Sequence, residues 1–220
     1  MTTPAPGWLT ALASRPDVAE HEWFATYAPP ADHDRRSAVL ILFGPDPAGG
    51  EDVVLTERAH TLRSHPGQVS FPGGRIDPED DGSVAAALRE AEEEVGLDPA
   101  GVEVLATFPD IFLTPSQNSV TPVLAWWPVP VPVGVVDRAE VERVVRVRVR
   151  DLLDPAHRFT TVLGPYRGPG FEVDGLFVWG FTAMLLSSVF DLAGLTVPWD
   201  VSLERGLPER VRSPWMRGAG

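Results

Sequence analysis

The segment Arg89-Glu90-Ala91-Glu92-Glu93-Glu94-Val95-Gly96, with Phe71-Pro72-Gly73-Gly74-Arg75 upstream of it, decides the reading of this chain. It brings a run of carboxylates close to a glycine turn. Ser83 is a residue type that caps helix starts and Gly96 one that ends helices in the left-handed conformation, so a helix of about a dozen residues is expected between them. Within it Val84, Ala87, Leu88, Ala91 and Val95 recur at three- and four-residue steps and should face a core. Glu90, Glu93 and Glu94 fall at i, i+3 and i+4 on another face, expected to be exposed.

Two carboxylates about 4 Å apart near a protein surface repel by on the order of 4 kcal/mol before solvent relaxes the interaction. A hard divalent cation reverses that sign. Mg²⁺ and Mn²⁺ take oxygen ligands, keep some water and commonly join a few carboxylates to substrate phosphates. On the glutamates alone, a solvated acidic face with Arg89 as the i,i+4 partner of Glu93 is the more common arrangement. The neighbouring sequence tips the balance toward a metal site.

That neighbouring sequence carries a family resemblance. The stretch 73–97 resembles a Nudix box: a glycine, a spacer, an acidic residue, a second spacer, then Arg-Glu-(apolar)-any-Glu-Glu-any-Gly-(apolar). Arg89, Glu90, Ala91, Glu93, Glu94, Gly96 and Leu97 match its second half position by position. The first half departs, because the spacing from Gly74 to Arg89 is one residue longer than the general pattern and its early Glu falls on Asp80 or Asp81. Upstream, Leu55-Thr56-Glu57-Arg58-Ala59, then Arg63, Gly67 and Phe71-Pro72-Gly73-Gly74 resemble the additional signature of the coenzyme A diphosphatase branch of Nudix hydrolases. Only Val54, where that signature usually has Leu, deviates. The resemblance continues more weakly into 36–42, similar to a first core strand, and 179–184, similar to the start of a last helix.

The resemblance implies an α/β fold, a Nudix-type α/β/α sandwich with a mixed β-sheet, over 34–196, with an N-terminal extension at 1–33 and a C-terminal tail at 197–220. The residue pattern agrees: 38–43, 53–56, 102–108 and 119–127 have strand-like content and 179–192 reads as a core-packed helix. The alternating Val and Arg of 144–150 predict a half-buried strand with a charged outer face. Prolines in 127–132 predict a rigid loop or edge segment, and the Arg- and Gly-rich 203–220 reads as a mobile tail.

Hydrolysis of a pyrophosphate requires its charge to be masked, a water to be placed in line with one phosphorus and the leaving phosphate to be stabilised. Glu90 and Glu94, one helical turn apart, are the expected direct metal ligands, with Glu93 beside them as a further ligand or a base for the water. The resemblance implies the same set, adds a backbone carbonyl at Gly74, and gives some family members a base outside the box, a role for which Glu140 is the candidate. Arg89 completes the candidate catalytic residues by holding Glu93. Arg58, Arg63 and His65 concentrate positive charge ahead of the box for a phosphate. Gln68, Ser70, Phe71 and Gly73 are the remaining candidate substrate contacts, as hydrogen-bonding groups, an apolar wall and a close-approaching turn.

Composition sets the outer bounds. The chain has 220 residues, suited to one domain with extensions, and 44% hydrophobic residues, enough for a sizeable core. A net charge of −13 disfavours a duplex nucleic-acid partner, so an anionic small molecule must be met by local positive charge and metal. With no cysteine there is no thiol chemistry, which suits a reducing cytoplasm. The first residues lack an export pattern, and the apolar stretches 120–136 and 176–190 are proline-broken or short, so neither secretion nor a membrane span is expected. The expected function is Mg²⁺- or Mn²⁺-dependent cleavage of coenzyme A or acyl-CoA at the diphosphate. The rivals are another nucleoside diphosphate derivative, such as ADP-ribose, and a non-catalytic nucleotide sensor. Lost box carboxylates or an added DNA-binding domain would mark the sensor, and neither is seen. A homodimer is left open.

Overall fold

Strand β1 (Arg36–Pro45) runs through the middle of the molecule, and its alternation explains the layers on either side. Ala38, Leu40 and Leu42 point to one hydrophobic cluster while Ile41 and Phe43 point to the other, as a period of two requires for a strand covered on both faces. This computed structural model describes residues 2–30, 34–62 and 65–211.

The strands that follow are β2 (Glu51–Arg58), β3 (Val69–Ser70), β4 (Gly73–Arg75), β5 (Glu103–Thr107), β6 (Ile111–Leu113), β7 (Asn118–Trp126) and β8 (Val141–Arg148). With β1 they form one sheet in the order β3-β2-β1-β7-β5, β4 pairing with β1, β6 with β7 and β8 with β2. β1 and β7 run parallel from Arg36–Ser119 to Phe43–Trp126, while β2 and β4 lie antiparallel to β1. The mixed α/β architecture expected from the sequence is therefore present.

Before β1 lie helices α1 (Gly7–Ala13) and α2 (Glu22–Thr26); α3 (Gly82–Val95) follows β4, and α4 (Val149–Leu153) follows β8. Helix α3 packs on one face of the sheet through Ala86, Ala87, Ala91 and Val95, together with Trp127. Gly96 ends it with φ of 72°, a left-handed conformation that glycine adopts without a Cβ penalty. Its start departs from expectation. Asp81 occupies the N-cap without a side-chain capping bond, and Ser83 lies inside the first turn.

The opposite face carries α5 (Gly180–Leu192), the N-terminal helices and a second sheet. That sheet comprises β9 (Arg158–Leu163), β10 (Tyr166–Val173), β11 (Leu176–Val178) and β12 (Glu204–Gly206), in the order β11-β10-β9-β12. The segment expected to be an unpatterned extension contributes Leu9, Leu12, Val18 and Phe24 to the main core, and Trp8 meets Phe43 edge to face at 5.2 Å. The tail expectation is corrected over its first part: β12 pairs in parallel with β9, and Leu207 and Val211 are buried, so 204–211 belongs to the fold. Residues 212–220 lie outside the described residues.

The Val/Arg alternation forms β8, which ends at Arg148 rather than Arg150. Arg146 is a structural tie: it bonds the buried Asp52 at 3.0 and 2.8 Å, donates to the Pro45 carbonyl at 2.9 Å and covers Trp127 at 5.5 Å. Among the described residues no helix is long and apolar enough to cross a membrane.

Candidate active site

The site forms where β4 lays the glycine loop across α3. Pairing of Ala38 with Gly74, and donation from the Leu40 N–H to the Pro72 carbonyl at 2.8 Å, hold that loop on β1. The Gly73 N–H, in turn, donates to Glu94 Oε2 at 3.1 Å. A Cβ added at Gly74 would come within 2.4 Å of Glu90 Oε1, so only glycine lets the loop and this carboxylate touch. Gly74→Ala is therefore expected to displace Glu90 and cut turnover by at least about tenfold with little change in far-UV circular dichroism; unchanged kinetics would show the contact to be dispensable.

Burial separates the glutamates more sharply than their spacing suggests. Glu94 is 4% exposed, a correction to the exposed face expected for it, whereas Glu93 and Glu92 are exposed. Burial pushes the Glu94 carboxyl up to about 7, against the Gly73 N–H and Arg58, with Glu90 and Glu140 adding to the rise. Glu90 is also raised, chiefly by burial, with Arg89 opposing and Glu93 and Glu140 contributing like charge. The structure thus brings Glu90, Glu94 and Glu140 within electrostatic reach of one another.

Arg89 ties the surround together. It grips Asp80 in a bidentate pair at 2.9 and 3.0 Å, and donates to Glu93 Oε2 at 3.0 Å, to the Arg75 carbonyl at 3.0 Å and to Glu90 Oε1 at 3.2 Å. These contacts leave it a positioning residue, and they settle on Asp80, over Asp81, as its acidic partner ahead of the helix. Its fork locks two box glutamates to the loop before α3. That role was not visible from the i,i+4 spacing, which pairs Arg89 with Glu93 alone.

On the other flank of Glu94, Arg58 has a buried Nε with no hydrogen-bond partner, and its charge acts on both Glu94 and His65. His65 has φ of 56° and bonds Gln68 Oε1 through Nδ1 at 3.0 Å; burial lowers its pKa. Gln68 Nε2 is buried without a partner. Ser70 Oγ lies 2.9 Å from Thr56 Oγ1. Phe71 is 1% exposed and packs in the core cluster on the face opposite α3. Arg63 lies outside the described residues.

Among the described residues no three carboxylate or imidazole side chains are gathered into a ready metal-binding group. The donor chemistry nonetheless fits a hard cation: Glu90 and Glu94 offer oxygens only, and both are raised by burial and by neighbouring carboxylates, Glu93 and Glu140 for Glu90 and Glu90 and Glu140 for Glu94, which a bound cation would offset. They suit two ligands of an ion that completes its shell with water, a backbone carbonyl and substrate.

The NUDIX domain family model matches residues 33–163. The chain belongs to the Nudix family. It is 37% identical over 179 residues to a Shigella flexneri protein described as an uncharacterized Nudix hydrolase, NudL, the match covering 76% of this chain and 86% of that one. The NudL protein of Escherichia coli K12 is 38% identical over 164 residues, covering 69% and 79%. Among solved structures, the Nudix hydrolase RenU from M. smegmatis superposes with a TM-score of 0.53 at 21% identity, over 76% of this chain and 89% of its own, which bears on the fold alone. This Nudix protein is accordingly a hydrolase of phosphoric anhydrides whose substrate is a small nucleoside diphosphate derivative. Nudix hydrolases generally work with divalent metal ions.

Proposed function

We propose that this Nudix hydrolase cleaves coenzyme A or acyl-CoA at the diphosphate, giving phosphopantetheine, or its acylated form, and adenosine 3′,5′-bisphosphate. The observation that carries the reading is Arg58, a residue of the upstream coenzyme A signature: its charge acts on the buried Glu94 and on His65, and its Nε, like the Nε2 of Gln68, whose Oε1 bonds His65, is a buried donor without a partner.

Glu90 and Glu94 are the residues we assign to hold Mg²⁺ or Mn²⁺, with the Gly74 carbonyl and Glu93 beside them. Bound there, the cation would mask phosphate charge and acidify an attacking water. Glu93 Oε2 is committed to Arg89, which leaves Glu140, coupled to both Glu90 and Glu94, as the group we assign to receive the water's proton. Arg58 supplies a guanidinium to a phosphate oxygen of the substrate, and the Gln68 amide a further donor. The Gly73 N–H keeps Glu94 in place rather than meeting substrate. We place the reaction in the cytoplasm.

Incubation with coenzyme A and millimolar Mg²⁺ or Mn²⁺ should yield the two products in equal amounts and none after chelation. Intact coenzyme A, or cleavage that survives chelation, would overturn the reading. The same ions should raise the melting temperature of wild type, because a ligand specific to the native state stabilises it, and should raise it less in Glu90→Gln. An unchanged melting curve in both would count against a site preformed by these carboxylates.

A further inference from the structure

The C-terminal segment closes against the loop that carries Arg58. The ends of that loop are tied through the backbone: the Gly67 N–H donates to the Arg58 carbonyl at 3.0 Å, and the Arg58 N–H donates to the Gln68 carbonyl at 2.9 Å. Both main-chain polar groups of Arg58 are thus committed to Gly67 and Gln68, so a shift of Gly67 passes directly to Arg58.

Gly67 is wedged in place. Its φ is 64°, and a Cβ there would fall 2.6 Å from His60 Cε1 and 2.9 Å from the carbonyl oxygen of Arg210. Any side chain at this position would pry the two segments apart. Arg210 makes the contact through its main chain, while its side chain is exposed. Its neighbours bring it there. It lies in a 3₁₀ turn, Glu209–Val211, and Leu207 and Val211 are 3% and 1% exposed, packed with Phe159 and Phe177. The Val211 N–H donates to the Pro208 carbonyl at 3.1 Å, and β12 just upstream pairs with β9. A further tie from the same layer reaches the strand after the loop, where Thr182 Oγ1 of α5 donates to the Val69 carbonyl at 2.9 Å.

We propose that Leu207–Val211 is a positioning element for substrate binding: buried Leu207 and Val211 set the Arg210 carbonyl against Gly67, and the backbone bonds of Gly67 and Gln68 set Arg58. Substrate affinity then depends on a chain end remote in sequence from the box. The metal carboxylates do not share that dependence, because Glu94 is held by the Gly73 N–H and Glu90 by Arg89. The proposal rests on the assignment of Arg58 and Gln68 to the substrate.

In the full-length protein, Val211→Ala should raise KM for coenzyme A about tenfold and change kcat by less than about twofold. It should leave the Mg²⁺-induced rise in melting temperature as in wild type and speed amide exchange at Arg58 and Gly67. Leu207→Ala should do the same, Val211→Ile should restore wild-type values, and Val201→Ala, on a side chain 62% exposed in the same region, should change nothing. Wild-type KM and exchange in both Val211→Ala and Leu207→Ala, an equal effect in Val201→Ala, or a fall in kcat and metal response alongside the rise in KM would overturn the proposal. Exchange needs no substrate, so it separates this contact from the choice of coenzyme A. If wild type leaves coenzyme A intact, the functional reading fails, while faster exchange at Arg58 and Gly67 still upholds the positioning and unchanged exchange overturns it. Wild type alone provides a check that no misfolded variant can spoil: under rising denaturant the Val211 and Gly67 amides should open together, and opening of Val211 that leaves Gly67 protected would overturn the proposal.

Discussion

Glu94→Gln is expected to lower turnover at saturating metal by at least about a hundredfold, since it removes a charged ligand from the position on which the proposed metal site depends. The same substitution should make the metal-free protein less sensitive to alkali. Burial holds the folded-state Glu94 carboxyl at about 7, above its ordinary 4.5, so the folded chain keeps a proton that the unfolded chain releases. Stability from this group is complete below about 4.5 and is lost as pH rises through about 7, a swing on the order of 3 kcal/mol. In chelator, the melting temperature of wild type should therefore fall across that window, and the fall should be shallower in Glu94→Gln. It should not vanish, because burial also raises Asp52, to about 6, with the same sign, while His65, lowered, acts in the opposite direction. Near wild-type turnover would dismiss Glu94 as a ligand, and an equally steep pH profile would dismiss its buried proton. Glu92→Gln, on an exposed position one residue from Glu93, should leave both measurements nearly unchanged.

Arg58→Ala is expected to weaken coenzyme A and dephospho-coenzyme A by the same factor, about 10- to 150-fold in kcat/KM, the equivalent of a charge-assisted hydrogen bond of roughly 1.5–3 kcal/mol. The reason is placement. Arg58 exerts its charge on Glu94, beside the proposed metal ligands, which is where the diphosphate shared by both substrates must lie. A larger loss on coenzyme A alone would move Arg58 to the 3′-phosphate, and no loss on either would make it structural. The 3′-phosphate is then left to Arg63, for which the matching expectation is a selective loss on coenzyme A in Arg63→Ala.

The helix that carries the box was legible because its apolar positions repeat at helical spacing and Gly96 marks its end. The burial of Glu94 was not. Periodicity sorts a glutamate onto the polar side, but the loop that covers it arrives through pairing of β4 with β1, a contact between segments far apart in sequence. Long-range packing likewise hid the part played by the N-terminal helices, whose Leu9, Leu12 and Phe24 find a core that no local pattern announces. The second sheet went unread because Gly164-Pro165 and Gly168-Pro169-Gly170 break its apolar pattern. One signal for it was present: Asp174 and Gly175, both at positive φ, form a two-residue link between β10 and β11, the Asp-Gly pairing that tight hairpins favour. At the site, Asp80 was only one of two candidates until the bidentate geometry of Arg89 selected it.

The central claim is that this Nudix hydrolase acts on the coenzyme A diphosphate, and the most direct measurement is kcat/KM for coenzyme A and for ADP-ribose on one preparation with saturating Mg²⁺ or Mn²⁺. The value for coenzyme A is expected to be at least about tenfold higher, a difference of roughly 1.4 kcal/mol in transition-state stabilisation. An ADP-ribose value equal to or above that for coenzyme A would contradict it.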